Sequence, residues 1–261
     1  MEFILEYFFD FDLMVQEFGP ILEGFWQTLK LAILGGILAL VWGLVLAVLR
    51  QLPGRAAAPI RWLTIAYIDI FRGIPMLLVL LLVSSALSAF ATEGVIPREI
   101  GIPTFFGQTS AFWWGIIALT ITYGAYMAEV YRAGIEAVPA GQNEAARSLG
   151  MSHGQSLRHV IVPQAIRKVV PPLLNDFIAL MKDTSLVSIL GLVEVVQAAG
   201  DVQSEFFNGS GYVLGAMMFL VVTIPLARYV DHLIAKQQRK TQRGGPAGDD
   251  EPPPQVGIAG A

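Results

Sequence analysis

The sequence predicts an all-α integral membrane protein with about five membrane-crossing helices, and three observations lead there. Hydrophobic residues make up 54% of the chain and charged ones 15%, with a mean hydropathy of +0.59, too apolar for a domain bathed in water on all sides. The apolar residues fall in blocks close to the ~20 residues that a helix needs to cross a ~30 Å hydrocarbon core. Lys and Arg gather in alternate gaps between those blocks, the asymmetry that orients membrane helices.

Residues 1–27 carry Glu2, Glu6, Asp10, Asp12, Glu17 and Glu23, with no Lys or Arg before Lys30. A cleavable signal peptide needs a basic region, so the expectation is an outer-face or interfacial segment, with the first span as the targeting signal. That span covers residues 28–49. Gly35, Ala39, Gly43 and Ala47 recur every four residues along it, a stripe that invites a second helix to pack closely. The second apolar run, 74–90, follows RWLTIAYIDIFRG, which is too polar to face lipid throughout and reads as an inner-face helix or a kinked extension. Pro75 marks the kink or the start. The third span covers 111–128, with Trp113 and Trp114 as interfacial anchors, and the last covers 212–227, with Pro225 near its end.

The fourth span is interrupted. Residues 169–181 are apolar apart from Asn175 and Asp176, Lys182-Asp183-Thr184-Ser185 breaks the run, and 186–200 resumes it. One membrane helix, either continuous or broken in its middle, is the expectation. The basic residues after span one (Arg50, Arg55, Arg61), between spans three and four (Arg132, Arg147, Arg158, Arg167, Lys168) and after span five (Lys236, Arg239, Lys240, Arg243) then share one side, the cytoplasm. The loops 91–110 and 201–210 hold Glu93, Glu99, Asp201 and Glu205 but only Arg98. The N-terminus is thereby expected outside and the C-terminus inside. Residues 236–261 form a cytoplasmic tail, rich in Gly, Pro and acid from about Thr241, with a composition that cannot build a core and predicts disorder. The membrane-spanning body is therefore 28–235.

Between spans three and four lies a water-compatible stretch, 139–165. QNEAARSL consists of helix formers, with Glu144 placed in the first turn where a carboxylate suits the helix dipole. Gly150 closes that helix through the left-handed backbone, and Ser152 to Gln155 reads SxxQ, a capping box that starts a second helix. The second helix is expected to end near Val162, because Pro163 lacks a backbone donor and disfavours helix in the residue before it.

Several chemistries are excluded. A net charge of -4 argues against nucleic acid as a partner, and the absence of cysteine removes disulfides, thiolate metal sites and a thiol nucleophile. His153, His159 and His232 show no metal-ligand spacing and belong to no serine-nucleophile pattern. No cofactor or metal is expected. No Gly-Lys pair occurs, so the chain has no P-loop for ATP.

The spacing EAA, three residues, Gly, nine residues and an apolar-x-apolar-Pro signature, here Glu144, Ala145, Ala146, Gly150, Val160, Val162 and Pro163, resembles the cytoplasmic coupling loop of permease subunits of binding-protein-dependent ABC importers. FRGIP at 71–75, AYMAEVYRAGIEAVPAGQ at 125–142 and PPLLNDFIALMKDTSLVSILG at 171–191 are similar to the polar amino-acid uptake branch. The resemblance implies the type I transmembrane-domain fold of ABC importers and a place in a bacterial inner membrane with a periplasmic N-terminus. It implies a transport subunit rather than an enzyme. ATP would be hydrolysed on separate ATP-binding cassette subunits, two copies, with Glu144 as polar anchor, Ala145 and Ala146 allowing close approach, and Gly150 setting the turn. Its other implied partners are a periplasmic binding protein that delivers a polar amino acid, and a second permease chain, identical or homologous.

Charges at membrane depth are costly and by default face a bundle interior or a watery path. Asp176 lies ~13 Å beyond Arg167 along a helix, near the midplane. Asp176 and Asp183, seven residues apart, share a face if the helix is continuous, whereas Lys182 has no acidic residue three or four positions away. Glu129 on the third span is one candidate for its counter-charge. Asp176, Glu129, Asp183, Lys182 and Arg72 together could serve an amino acid's charged ends or could form inter-helix ion pairs; Arg72, beside Gly73 and Pro75, reads as an inner-end anchor. Two rival functions stay open: an ion-coupled transporter or channel, and a non-transporting scaffold for an ATPase.

Overall fold

The computed structural model describes residues 2–244, and every regular element among them is helical. The first long helix, α3 (Phe18–Arg50), has 33 residues and so a length of about 50 Å, more than a membrane core requires. It starts at Phe18, well before residue 28, because nothing between Phe18 and Thr28 breaks a helix beyond Pro20, which sits harmlessly in the first turn. The segment before it folds as two short helices, α1 (Glu2–Phe8) and α2 (Phe11–Gln16), with the Asp10 side chain capping α2. Both lie against the start of α12 (Ser210–Gly244). Gly209 donates to the Tyr7 carbonyl at 2.8 Å, Asn208 donates to the Glu6 carbonyl, and the Asp10 N–H donates to the Ser210 hydroxyl.

α3 packs most extensively on α7 (Ser110–Glu136). Gly35, Ala39, Gly43 and Ala47 are all buried in α3, as the small-residue stripe predicts. The reason is visible at Gly43, where a Cβ would stand 2.9 Å from the Gly124 carbonyl oxygen of α7. Trp113 and Trp114 donate their indole N–H groups to the carbonyls of Phe105 and Gly101, tying the start of α7 to the loop before it.

The second span is two helices. α4 (Ala58–Gly73) and α5 (Met76–Thr92) meet at 112° across Ile74 and Pro75. α4 is held against α3 and α7 through Tyr67, which accepts from the Trp42 indole at 2.9 Å and donates to the Ile121 carbonyl at 2.9 Å. α5 carries the apolar run. Among the described residues three helices (α3, α7 and α12) are each long and apolar enough to cross a membrane, and two bent pairs, each taken as one span, raise the count to five.

The second bent pair is the fourth span. Helix runs from α9 (His153–Ser156) through a π turn (Leu157–Ile161) into α10 (Val162–Asp183) and a 3-10 stretch (Thr184–Leu190). α11 (Val195–Phe206) then departs at 52°. Two expectations are corrected here. Pro163 does not end the helix, because the widened turn just before it shifts the hydrogen-bond register and the proline enters at the start of a fresh α segment, where its missing N–H is not needed. The polar Lys182–Ser185 cluster changes the helix from α to 3-10 without turning it. The turn comes at Gly191, whose φ of +81 is left-handed, and is completed by Glu194. α12 also runs past residue 236, since Lys236 to Arg243 contains only residues a helix tolerates; the rest of the expected disordered tail, 245–261, lies outside the described residues.

The ends of α3, α7 and α12 and the start of α10 meet at one end of the bundle, where the basic residues collect. Arg50 reaches Glu129 at 2.5 Å, Arg132 also pairs with Glu129 and with Glu136, and Lys168 donates to the Ala137 carbonyl. Glu129 is therefore the counter-charge of Arg50 and Arg132 and not of Lys182. Its helix position three residues before Arg132 makes that pairing local, and the α3–α7 packing brings in Arg50. Glu129→Gln leaves two guanidinium groups facing one another. The expected loss is about 1–2 kcal/mol, discounted because the groups are partly exposed, and thermal unfolding in detergent reads it as a fall in Tm that shrinks when salt is raised.

Candidate functional site

Two places in the fold gather the residues that the sequence singles out. The first is the hairpin between α7 and α10. α8 (Ala140–Ser148) begins behind Pro139, so Glu144 sits in its second turn and not its first. Gly150 has a φ of +84, the left-handed cap that the sequence requires. Ser152 and Gln155 close the capping box, each side chain meeting the other residue's backbone N–H. Asn143 on α8 accepts from the Ser156 hydroxyl at 2.7 Å, which locks the two short helices together. Within this frame Glu144 and Ala145 are exposed and Ala146 is buried. Ala146 faces its own hairpin, so only one of the two alanines is free for an outside contact. Sequence reading missed Leu149, which is 81% exposed beside the turn. An apolar residue just before a helix-closing glycine was the available signal, since nothing in the hairpin covers it.

The second place is a cavity of about 430 Å3 between the α4–α5 break, α7 and α10. Arg72 to Met76 line one wall, Thr122, Tyr123 and Tyr126 another, and Asp176, Ala179 and Asp183 the third. Non-helical backbone at membrane depth is tolerated where it borders such a cavity, and Ile74 and Pro75 are extended here. Asp176 and Asp183 share a face because α10 is continuous between them. The Tyr123 hydroxyl donates to Asp183 Oδ2 at 2.8 Å. The Arg72 guanidinium lies over the Tyr126 ring at 5.7 Å from its centroid, and the Tyr126 hydroxyl donates to the Arg72 carbonyl at 3.3 Å.

The five intramembrane charges thus divide. Arg72, Asp176 and Asp183 converge on the cavity; Arg72 reaches it because the sharp α4–α5 bend turns the end of α4 toward α7 and α10. Lys182 is exposed and outside the lining, on the flank of α10 away from its neighbours Asp176 and Asp183. Glu129 lies with the basic cluster at the bundle end. Tyr123 and Tyr126 went unnoticed in the sequence because an aromatic in an apolar helix reads as packing. Among the described residues no cluster of acids and histidines suited to a metal occurs.

The family model for the binding-protein-dependent transport system inner membrane component matches residues 39–239. The chain belongs to that family. This permease is 33% identical over 222 residues to the probable glutamine ABC transporter permease protein GlnM of Bacillus subtilis (strain 168), covering 85% of this chain and 94% of that one. It is 32% identical to the glutamate/aspartate import permease protein GltK of Escherichia coli O157:H7, covering 87% and 97%. It is 32% identical to the arginine transport system permease protein ArtQ of Bacillus subtilis (strain 168), covering 76% and 83%. Among solved structures, an amino acid ABC transporter with histidines superposes with a TM-score of 0.73 at 34% identity, covering 87% of the permease and 98% of that chain. The MetNI methionine ABC transporter, at 21% identity and a TM-score of 0.61, shares the fold. The all-α membrane fold, expected from the hydropathy blocks, and the ABC importer transmembrane-domain fold, implied by the family resemblance, are the fold of this permease.

Proposed function

We propose that this permease carries a polar amino acid across a bacterial inner membrane, driven by ATP hydrolysed on two separate ATP-binding cassette subunits docked at its 139–165 hairpin. A periplasmic binding protein delivers the solute, and a second permease chain, identical or homologous, completes the path. The N-terminus is periplasmic and the C-terminus cytoplasmic, in keeping with the basic residues gathered at one end of the bundle. Relatives that carry glutamine, arginine, and glutamate or aspartate in their names support an amino-acid cargo.

The observation that carries the reading is the unbroken helical run from His153 to Leu190. Its near end is half of the exposed hairpin and its far half holds Asp176 and Asp183 on the cavity wall. A displacement applied at the hairpin is therefore delivered to the cavity by one rod. On the hairpin Glu144 is the polar anchor, Ala145 the close-approach residue and Leu149 the apolar plug for a groove on the ATPase, with Gly150 fixing the turn between the helices and Pro163 opening the α10 segment of the rod.

Affinity purification of tagged permease from its own membranes tests this directly, comparing wild type with Glu144→Arg, Leu149→Asp and Gly150→Pro. Wild type is expected to bring down an ATP-binding subunit, and the variants to lose it by about tenfold or more, the scale set by removing a buried interface anchor. Because the altered side chains are exposed, the Tm of the membrane body should hold for Glu144→Arg and Leu149→Asp. An undiminished ATPase yield in both would remove the hairpin from the coupling role.

A further inference from the structure

We propose that the groove between α3 and the loop leading into α7 binds one phospholipid with an anionic headgroup, and that Lys30 is the residue that holds its phosphate. The inference needs only the placement of the bundle in a membrane and stands apart from the importer reading.

Lys30 precedes Arg50 by 20 residues in the same helix. At 1.5 Å per residue the two are ~30 Å apart along α3, the thickness of a hydrocarbon core. With Arg50 in the basic cluster at one end of the bundle, Lys30 stands at the headgroup level of the opposite leaflet. That side is nearly bare of cations, as membrane orientation requires: residues 1–49 and the loops 91–110 and 201–210 hold only Lys30 and Arg98. Among the described residues no ion pair engages the Lys30 ammonium group, and no acid stands three or four positions from it.

A groove of about 420 Å3 lies beside this unpaired charge. Ile33, Leu34 and Ile37 form one wall, three, four and seven residues beyond Lys30 and so on one face of α3, reaching ~10 Å into the membrane. Phe106, Gln108 and Trp113 form the other. Ile33 and Ile37 are half exposed, and Phe106 is 91% exposed. Phe106 also has a φ of +54, left-handed backbone that a bulky residue seldom adopts. That conformation sets its ring out from the bundle, 6.3 Å from the Trp113 ring. A cation at headgroup level, aromatic rings at the interface and an apolar stripe running inward match a phospholipid part by part: phosphate, ester region and acyl chain.

The headgroup follows from the charges. The lining holds one charged residue, Lys30, and no acid. Glu23, the nearest acid on that face of α3, is seven residues away, ~10 Å farther from the membrane centre. A headgroup ammonium therefore finds no carboxylate beside the phosphate and meets Lys30 as a like charge. A glycerol headgroup brings hydroxyls that suit the Gln108 amide and carries no such conflict. The lipid is of the phosphatidylglycerol type.

Native mass spectrometry tests this on the permease purified with its co-purifying chains, stripped of lipid and titrated with phosphatidylglycerol or phosphatidylethanolamine of matched acyl chains. Wild type should bind phosphatidylglycerol more tightly by about fivefold, the scale of one lysine against an anionic lipid. Lys30→Gln should bring the two lipids to within about twofold, while Arg98→Gln, outside the lining, leaves the preference intact. Ile37→Trp fills the groove and keeps the charge, so it should weaken both lipids alike. Should Lys30→Gln fail to fold, Ile37→Trp and the wild-type preference decide the matter. Equal binding of the two lipids by wild type, the behaviour of a lysine that merely snorkels to water, overturns the proposal, and so does a preference that survives Lys30→Gln or a binding that ignores Ile37→Trp. A second copy of the chain is the other occupant for such a groove. Because the chain has no cysteine, Ile33→Cys reports that contact cleanly, and a disulfide-linked dimer formed in high yield in the membrane also overturns the lipid site.

Discussion

Gly43→Leu is expected to prevent this permease from accumulating, or to lower its Tm in detergent by roughly 10 °C. Gly43 lies where α3 and α7 cross, and a Cβ there would stand 2.9 Å from the Gly124 carbonyl oxygen, 2.9 Å from Met127 Cβ and 3.1 Å from the Ala128 N–H nitrogen. Two of those three neighbours are backbone, which cannot rotate aside. The α7 side is equally tight, since a Cβ on Gly124 would meet the Trp42 ring of α3. A leucine must therefore push the helices apart along their whole contact, with Leu31, Ala39, Leu119 and Met127 losing their packing together. Overpacking ordinarily costs about 1–3 kcal/mol and more where backbone is the obstacle; at roughly 2–4 °C per kcal/mol for a chain of this size, the fall is large. Gly19→Leu in the same helix is the control, because nothing lies within 4 Å of its Cβ position. Equal Tm values for the two variants would mean that close helix approach does not hold this bundle together.

That crossing was legible beforehand, and the reason is instructive about what else was. Small residues every four positions in an apolar helix have few uses besides letting another helix near. The hairpin was legible for a similar cause: Gly150 and the Ser152–Gln155 capping box are local devices whose meaning depends on a handful of adjacent residues. Helix α10 was harder. Its polar Lys182–Ser185 cluster looks like a break, yet the helix continues because the serine and threonine hydroxyls donate back to carbonyls three residues earlier. The cavity was only half visible. Asp176 and Asp183 announced themselves by the cost of charge at membrane depth, but their partition from Glu129 and Lys182 depends on the α4–α5 bend and on which helices touch. No spacing within one helix encodes that. Glu194, standing alone in the apolar run LVEVV, falls under the same charge rule, but the run around it reads as the continuation of an interrupted span, and only the turn after Gly191 gives the carboxylate its use.

Glu194→Leu is the second substitution expected to have a large effect, and it separates charge from capping. Glu194 is fully buried at the turn into α11, where a helix begins at membrane depth with no water to receive its first N–H groups. Its Oε1 accepts from Val196 at 2.9 Å and Gln197 at 3.1 Å. Its Oε2 accepts from the Thr28 hydroxyl at 3.2 Å, and Thr28 in turn accepts from the Val195 N–H at 3.3 Å. One carboxylate and one hydroxyl from α3 thus satisfy three successive donors. The backbones are close as well, since a Cβ on Gly24 would stand 2.9 Å from the Glu194 carbonyl oxygen. Leucine keeps the bulk and removes the acceptors, stranding two N–H groups at about 1–3 kcal/mol each. The expected loss is about 3–5 kcal/mol, seen as a lower Tm and lower yield. Glu194→Gln retains an acceptor for Val196 and Gln197 and should lose less than about 1 kcal/mol, while Thr28→Val should fall between. The Glu194→Leu, Thr28→Val double variant should cost less than the sum, because both side chains serve one turn. If Glu194→Gln proved as damaging as Glu194→Leu, the carboxylate would matter for its charge and not for its capping of α11, and the bend between the 3-10 stretch and α11 would need another cause.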